Sequence, residues 1–197
     1  MCMYSRSNEV ASFGGERTNQ VRIDMNTTSD YLSPVFDLGR SQAILVDNLT
    51  NNDTTDETNA SGGYLLNKYI SKTITLAENQ DAEDMSVILT SYRPPGTDVK
   101  VWVKILHAED ADTIDSKNWI ELEKKSFGDS AYSSLSKGDD FIEYTYGFPS
   151  SYMTGSIGEV QYTASTATFS GYKYFAIKIG LLSNNSAIIP RVADLRV

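Results

Sequence analysis

Cysteine and histidine are almost missing from this chain: one of each, Cys2 and His107, among 197 residues. A single cysteine allows no internal disulfide and no thiolate zinc site, and its place beside Met1 argues against a buried nucleophile. One histidine rules out two-histidine metal sites and makes any Ser-His-Asp mechanism depend on His107 alone. Basic residues are scarce too. Lys and Arg number 17 against 26 Asp and Glu, a net charge of −9. A surface of that sign repels phosphate, and the longest basic run is only the pair Lys124-Lys125, preceded by Glu121 and Glu123. We therefore expect no nucleic-acid partner. No apolar run approaches the roughly 20 residues that span a bilayer, and the N-terminus has no apolar signal-peptide core. The expectation is a soluble chain without membrane insertion. Glycine-rich phosphate loops, Gly-x-Ser-x-Gly, His-Glu-x-x-His and paired-cysteine motifs do not occur, so no cofactor is expected.

The patterning that is present belongs to strands. Residues 99–105 read Val-Lys-Val-Trp-Val-Lys-Ile, placing Val99, Val101, Val103 and Ile105 on one face and Lys100, Trp102 and Lys104 on the other. Similar segments fall at 20–26, 42–48, 69–76, 85–92, 118–124, 141–146, 159–163, 172–181 and 188–197. About ten short strands, separated by Gly, Pro, Asn, Asp and Ser clusters, predict an all-β fold, an antiparallel β-sandwich of jelly-roll type. No apolar face repeats at helical spacing for more than about two turns. One helical turn is expected at most in each of 77–84 and 109–117. Residues 1–19 are polar and unpatterned and read as a flexible N-terminal arm or linker, leaving 20–197 as a single sandwich domain. The connection 49–67 has no large apolar residue between Leu49 and Gly63, which predicts a flexible tip. Arg93-Pro94-Pro95-Gly96 reads as a rigid turn that sets 85–92 against 98–105 as an antiparallel pair. Pro190, inside a strand-like run, favours an edge position with hydrogen-bonding groups open to a neighbour.

Few residues suggest chemistry. His107 precedes the acidic run Glu109-Asp110-Ala-Asp112-Thr-Ile-Asp115, but no nucleophile motif flanks it, and it reads as a solvated residue between strand and loop. The run lacks the order and the glycine turn of a calcium loop and reads as a solvated acidic loop. The sequons at Asn26, Asn48, Asn52, Asn59 and Asn184 are what chance gives in a chain rich in Asn, Ser and Thr. An enzyme would need His107, or a pair such as Glu121 and Glu143 in one cleft. Aromatic residues are more informative: 12 Tyr, 7 Phe and 2 Trp. Trp102 sits opposite the valine face of its strand, facing solvent or a neighbouring subunit. Together with Trp119, Tyr144, Tyr146 and Tyr152 it forms the set of aromatic side chains available to a glycan or an interface.

Three segments carry a resemblance. Ser33-Pro-Val-Phe-Asp-Leu-Gly-Arg40 is followed by a strand ending at Asn48. Lys68-Tyr-Ile-Ser-Lys-Thr-Ile-Thr-Leu76 leads into Met85-Ser-Val-Ile-Leu-Thr-Ser-Tyr-Arg-Pro-Pro-Gly-Thr97, and Pro190-Arg-Val-Ala-Asp-Leu-Arg196 lies at the C-terminal end. In this order they resemble virion structural proteins of tailed phages, the T4-like cyanophages in particular, in tail, baseplate or fibre-associated parts. The resemblance covers 33–197 and carries no catalytic signature. It implies a non-enzymatic module of the virion tail, made in the host cytoplasm, that meets other virion proteins and copies of itself. The alternative is a carbohydrate-binding jelly roll that reads host surface glycans with the five aromatic residues above.

Overall fold

A computed structural model describes residues 24–36, 50–125, 131–154, 158–185 and 188–197. The chain separates into two compact units, Met1–Asp47 and Asn48–Val197. Within the first, the described stretch is irregular, with a turn closed by Leu32 N donating to the Ser29 carbonyl. The expected strand at 20–26 is not formed over its described part, 24–26; the expected strand at 42–48 and the arm at 1–19 lie outside the described residues.

The second unit is all-β. Its strands are β1 (Lys68–Ile70), β2 (Ile74–Thr75), β3 (Ser86–Tyr92), β4 (Thr97–Leu106), β5 (Ile120–Glu121) and β6 (Glu123–Lys124). They continue with β7 (Ile142–Gly147), β8 (Met153–Thr154), β9 (Glu159–Ala164), β10 (Ala167–Ser170), β11 (Tyr174–Ser183) and β12 (Arg191–Arg196). The helical content among the described residues is two 3-10 turns, Ile114–Ser116 and Ser150–Tyr152. The first lies within the expected 109–117; the segment 77–84 forms no helix. One sheet runs β1-β11-β4-β5, with β2 also on β11; a second runs β12-β3-β7-β6; a third, smaller one runs β10-β9-β8. Every pairing is antiparallel.

The core follows the alternation. Val99, Val101, Val103 and Ile105 of β4 and Ile177 and Ile179 of β11 pack against Val87 and Leu89 of β3 and Tyr144 and Tyr146 of β7. Tyr146 spans the two sheets and donates its hydroxyl proton to the Val99 carbonyl at 2.8 Å. On one side the sandwich is closed by the chain itself: β5 pairs β4, β6 pairs β7, and Leu122 between them donates its N–H to the Val101 carbonyl.

Two expectations need correction. β3 and β4 are not a hairpin. β3 pairs with β7 and β12, whereas β4 pairs with β11 and β5, so the Arg93–Gly96 turn carries the chain from one sheet to the other. Gly96 supplies the positive φ of +86° that this change of direction requires. Second, the connection after Leu49 is no flexible tip but a strap folded over the outer face of the five-stranded sheet. Asn51 fastens its start: its carbonyl accepts Ser183 N–H, and its side chain bonds the Tyr64 carbonyl and Leu66 N–H. Thr58 O accepts Trp119 N–H at 2.8 Å, and Gly63 packs so tightly that a Cβ there would lie 2.0 Å from the Thr55 carbonyl oxygen.

Candidate functional site

The strap explains where the tryptophans go. Because the strap covers the middle of β4 and β11 on their outer side, Trp102 and Lys104 on the outer face of β4 are buried like the valines of the inner face, while Asp98 and Lys100 stay partly exposed. Trp102 is completely buried, in a second apolar cluster with Leu65, Trp119, Ala176 and Leu182. The expectation that Trp102 faces solvent or a neighbouring subunit is therefore corrected: its own chain covers it. Trp102 and Trp119 do come together, around Lys178, whose Nζ lies 4.8 Å from each ring centroid. That ammonium is 0% exposed and donates to Glu57 Oε2 at 2.7 Å and to the Glu57 carbonyl. Lys68 Nζ and Leu65 N–H both bond the other carboxylate oxygen. Lys104, beside Trp119, donates to the carbonyls of Ala60 and Asp115. This cluster is a closed structural anchor with no room for a ligand.

Tyr144 and Tyr146 face the core and are equally inaccessible. Tyr152 is half-buried, apart from the others, in a cleft of about 520 Å³ shared with Asn118, Gln161 and Tyr162. Tyr162 is engaged in that cleft: its hydroxyl donates to Asp110 and accepts His107 N–H, and Lys117 lies over its ring. His107 stacks on Phe169, with its Nε2 3.9 Å from Asp81. Within the acidic run, Lys117 pairs with both Asp110 and Asp112. Among the described residues, no group of three or more His, Cys, Asp or Glu is placed to hold a metal ion. Glu121 pairs with Lys100 on the five-stranded sheet, and Glu143 with Arg196 on the other.

A further polar site has no counterpart among the residues that the sequence singles out. A cleft of about 730 Å³ runs along β5 and β6 and is lined by Lys100, Glu121, Glu123 and Lys124, with Tyr132 and Arg93 at one end. A smaller one of about 200 Å³, lined by Asn52, Gly96, Ser183 and Asn184, meets it at Arg93, Asp98 and Tyr132. Arg93, almost fully buried under the sheet-crossing turn, organises the junction. Its Nε donates to Asp98 Oδ1 at 2.7 Å and its NH1 to the Ala131 carbonyl, and its guanidinium lies 4.4 Å from the centre of the Tyr132 ring. Burial works against the Arg93 charge, but Asp98 beside it holds the guanidinium protonated beyond its ordinary range. Nothing local marks this arginine: a charged side chain just before Pro-Pro-Gly more often extends into solvent, and here Asp98 and the Ala131 carbonyl hold it under the turn.

Three carboxylates are held ionised below their usual range. Burial would raise Glu57, but hydrogen bonds from Lys178, Lys68 and Leu65 N–H outweigh it. Burial opposes Asp98 too, against Lys124, Arg93 and Val99 N–H, and Asp110, against Lys117, Asp112 N–H and the Tyr162 hydroxyl. Lowered carboxyl groups contribute stability that is complete above their unfolded values and is lost as pH falls through the folded ones. We expect a urea midpoint that these groups leave flat from about pH 7 to 5 and that falls steeply below about pH 4.5. A midpoint unchanged at pH 3.5 would contradict the assignment.

No protein-family model, curated protein or solved structure matches this chain.

Proposed function

We propose that the chain is a non-enzymatic structural module of a phage virion, in its tail, baseplate or fibre-associated parts, and works through contacts with neighbouring subunits. The family resemblance over 33–197 supports this. So does the way ionisable side chains are used: Glu57, Asp98, Asp110 and Glu121 are each engaged by lysine or arginine. The observation that carries the reading is the asymmetry of the sandwich. One side is sealed by β5 and β6. The opposite side, between β1 and β12, which end their sheets among the described residues, holds a largely apolar groove of about 340 Å³ lined by Tyr69, Ile179, Leu181, Val192 and Leu195, and by Lys68 and Asp194. Tyr69 is 56% exposed, with exposed Ile70 and Ile74 beside it. An apolar seam of this kind is where a subunit contact belongs.

The edges are blunted against open-ended pairing: β1 has three residues, and β12 carries a register shift between Val192 and Asp194 and charged Arg191, Asp194 and Arg196. Side-chain packing, with limited main-chain pairing, suits a defined place in a particle. Mass spectrometry of purified virions tests the reading. The chain is expected in stoichiometric amounts, and its absence from particles would overturn the proposal.

A further inference from the structure

The five aromatic residues expected to read a glycan are buried, except for half-buried Tyr152. The geometry points instead to the Tyr132 groove: we propose that it binds a neutral oligosaccharide. Four observations lead there. First, the shape: the two clefts share Arg93, Asp98 and Tyr132 in their walls, which sets Asn52 and Asn184 on one side of Tyr132 and Glu121 and Lys124 on the other. A row of polar groups on both sides of one exposed ring suits an extended chain of small polar units. Second, the platform: Tyr132 is 42% exposed while Arg93 supports its ring from beneath, which leaves an aromatic surface pre-set for the apolar face of a sugar ring.

Third, the charge. Among the described residues the larger cleft is lined by Arg93, Lys100 and Lys124 and by Asp98, Glu121 and Glu123, three charges of each sign. On a chain of net charge −9, such a groove gives a polyanion no attraction. All six are already paired, at 2.7 Å for Arg93–Asp98, Lys124–Asp98 and Lys100–Glu121, and at 2.9 Å for Glu123 with Lys125. A charged ligand would have to break one of these pairs. A hydroxyl, which both donates and accepts, does not. Fourth, the acceptors: Arg93, Lys124 and Val99 N–H all bond Asp98 on Oδ1, so Oδ2 keeps its acceptor capacity. Lys100 likewise takes Glu121 on Oε1, and no described residue bonds Oε2.

The test uses the full chain on an array of printed neutral and uronic-acid-containing oligosaccharides, followed by titration calorimetry with the best neutral binder. Tyr132→Ala and Glu121→Gln are compared with the wild type after their melting curves confirm folding. We expect binding to neutral oligosaccharides, weakened about tenfold by Tyr132→Ala and less by Glu121→Gln. Binding to no neutral oligosaccharide, binding only to the polyanionic set, or unchanged affinity in both variants would overturn the proposal. Should Tyr132→Ala fail to fold, unchanged affinity in Glu121→Gln alone would overturn it. The virion census does not bear on this result: a chain absent from particles can still bind a glycan, and a particle protein can fail to.

Discussion

Glu57→Ala is expected to destabilise the protein by about 3–5 kcal/mol, because it leaves the Lys178 ammonium buried with no carboxylate. Lys178 is 0% exposed and Glu57 1%, so water cannot take over the lost contact without opening the strap. The carbonyl of Glu57 and the faces of Trp102 and Trp119 remain, but neither carries a compensating charge. For a unit of this size the loss corresponds to a fall in Tm on the order of 10 °C, read by circular dichroism. The double variant Glu57→Met, Lys178→Met separates two explanations. Replacing a buried ion pair with apolar side chains of similar volume is often neutral or better. If the single variant's cost is an orphaned charge, the double variant should regain most of it. If the cost is instead loss of the strap's own folding, the double variant should be at least as unstable. A Glu57→Ala protein melting within about 1 °C of wild type would refute the anchor altogether.

That pair also marks the limit of what sequence makes legible. The strand pattern was readable because β4 and β3 alternate with period two, and their inward residues form the core as the alternation says. Two consequences of long-range topology were not. A Pro-Pro-Gly turn between two strong strands looks the same whether the strands pair or part; which sheet each joins is decided by β7 and β11, far along the chain. The outer face of β4 looked solvent-facing because its cover, the strap, is almost wholly polar in sequence and is tied down largely by hydrogen bonds, with Leu65 as its buried apolar contact. Glu57 and Lys178 stand 121 residues apart, and nothing local ties them. One local clue existed. In Phe-Ala-Ile-Lys-Ile-Gly-Leu-Leu a lysine occupies the centre of a strand too apolar to lie at a surface, and such a lysine requires a buried partner. Tyr132 gave no signal in a loop of serines, and only its contact with Arg93 singles it out.

Trp102→Ala is expected to cost about 3–5 kcal/mol, the range for deleting a large buried aromatic side chain. The indole packs on Gly180 so closely that a Cβ there would sit 2.7 Å from the ring and 2.3 Å from Leu65. Removing it opens a cavity under the strap, strips Lys178 of one of its two aromatic neighbours, and leaves Leu65 without its main packing partner. Trp102→Phe should behave differently. The Trp102 Nε1–H is buried and has no hydrogen-bond partner among the described residues, a standing penalty in the folded state. Phenylalanine gives up contact area but removes that orphaned donor, so its net cost should be nearer 1 kcal/mol. Urea denaturation of the two variants checks this ordering, and equal costs would mean that Nε1 is satisfied in solution. The comparison bears on function as well. Any binding lost in Trp102→Ala reports a collapsed strap, whereas Tyr132→Ala, at an exposed position, should leave stability within about 0.5 kcal/mol and report the groove itself.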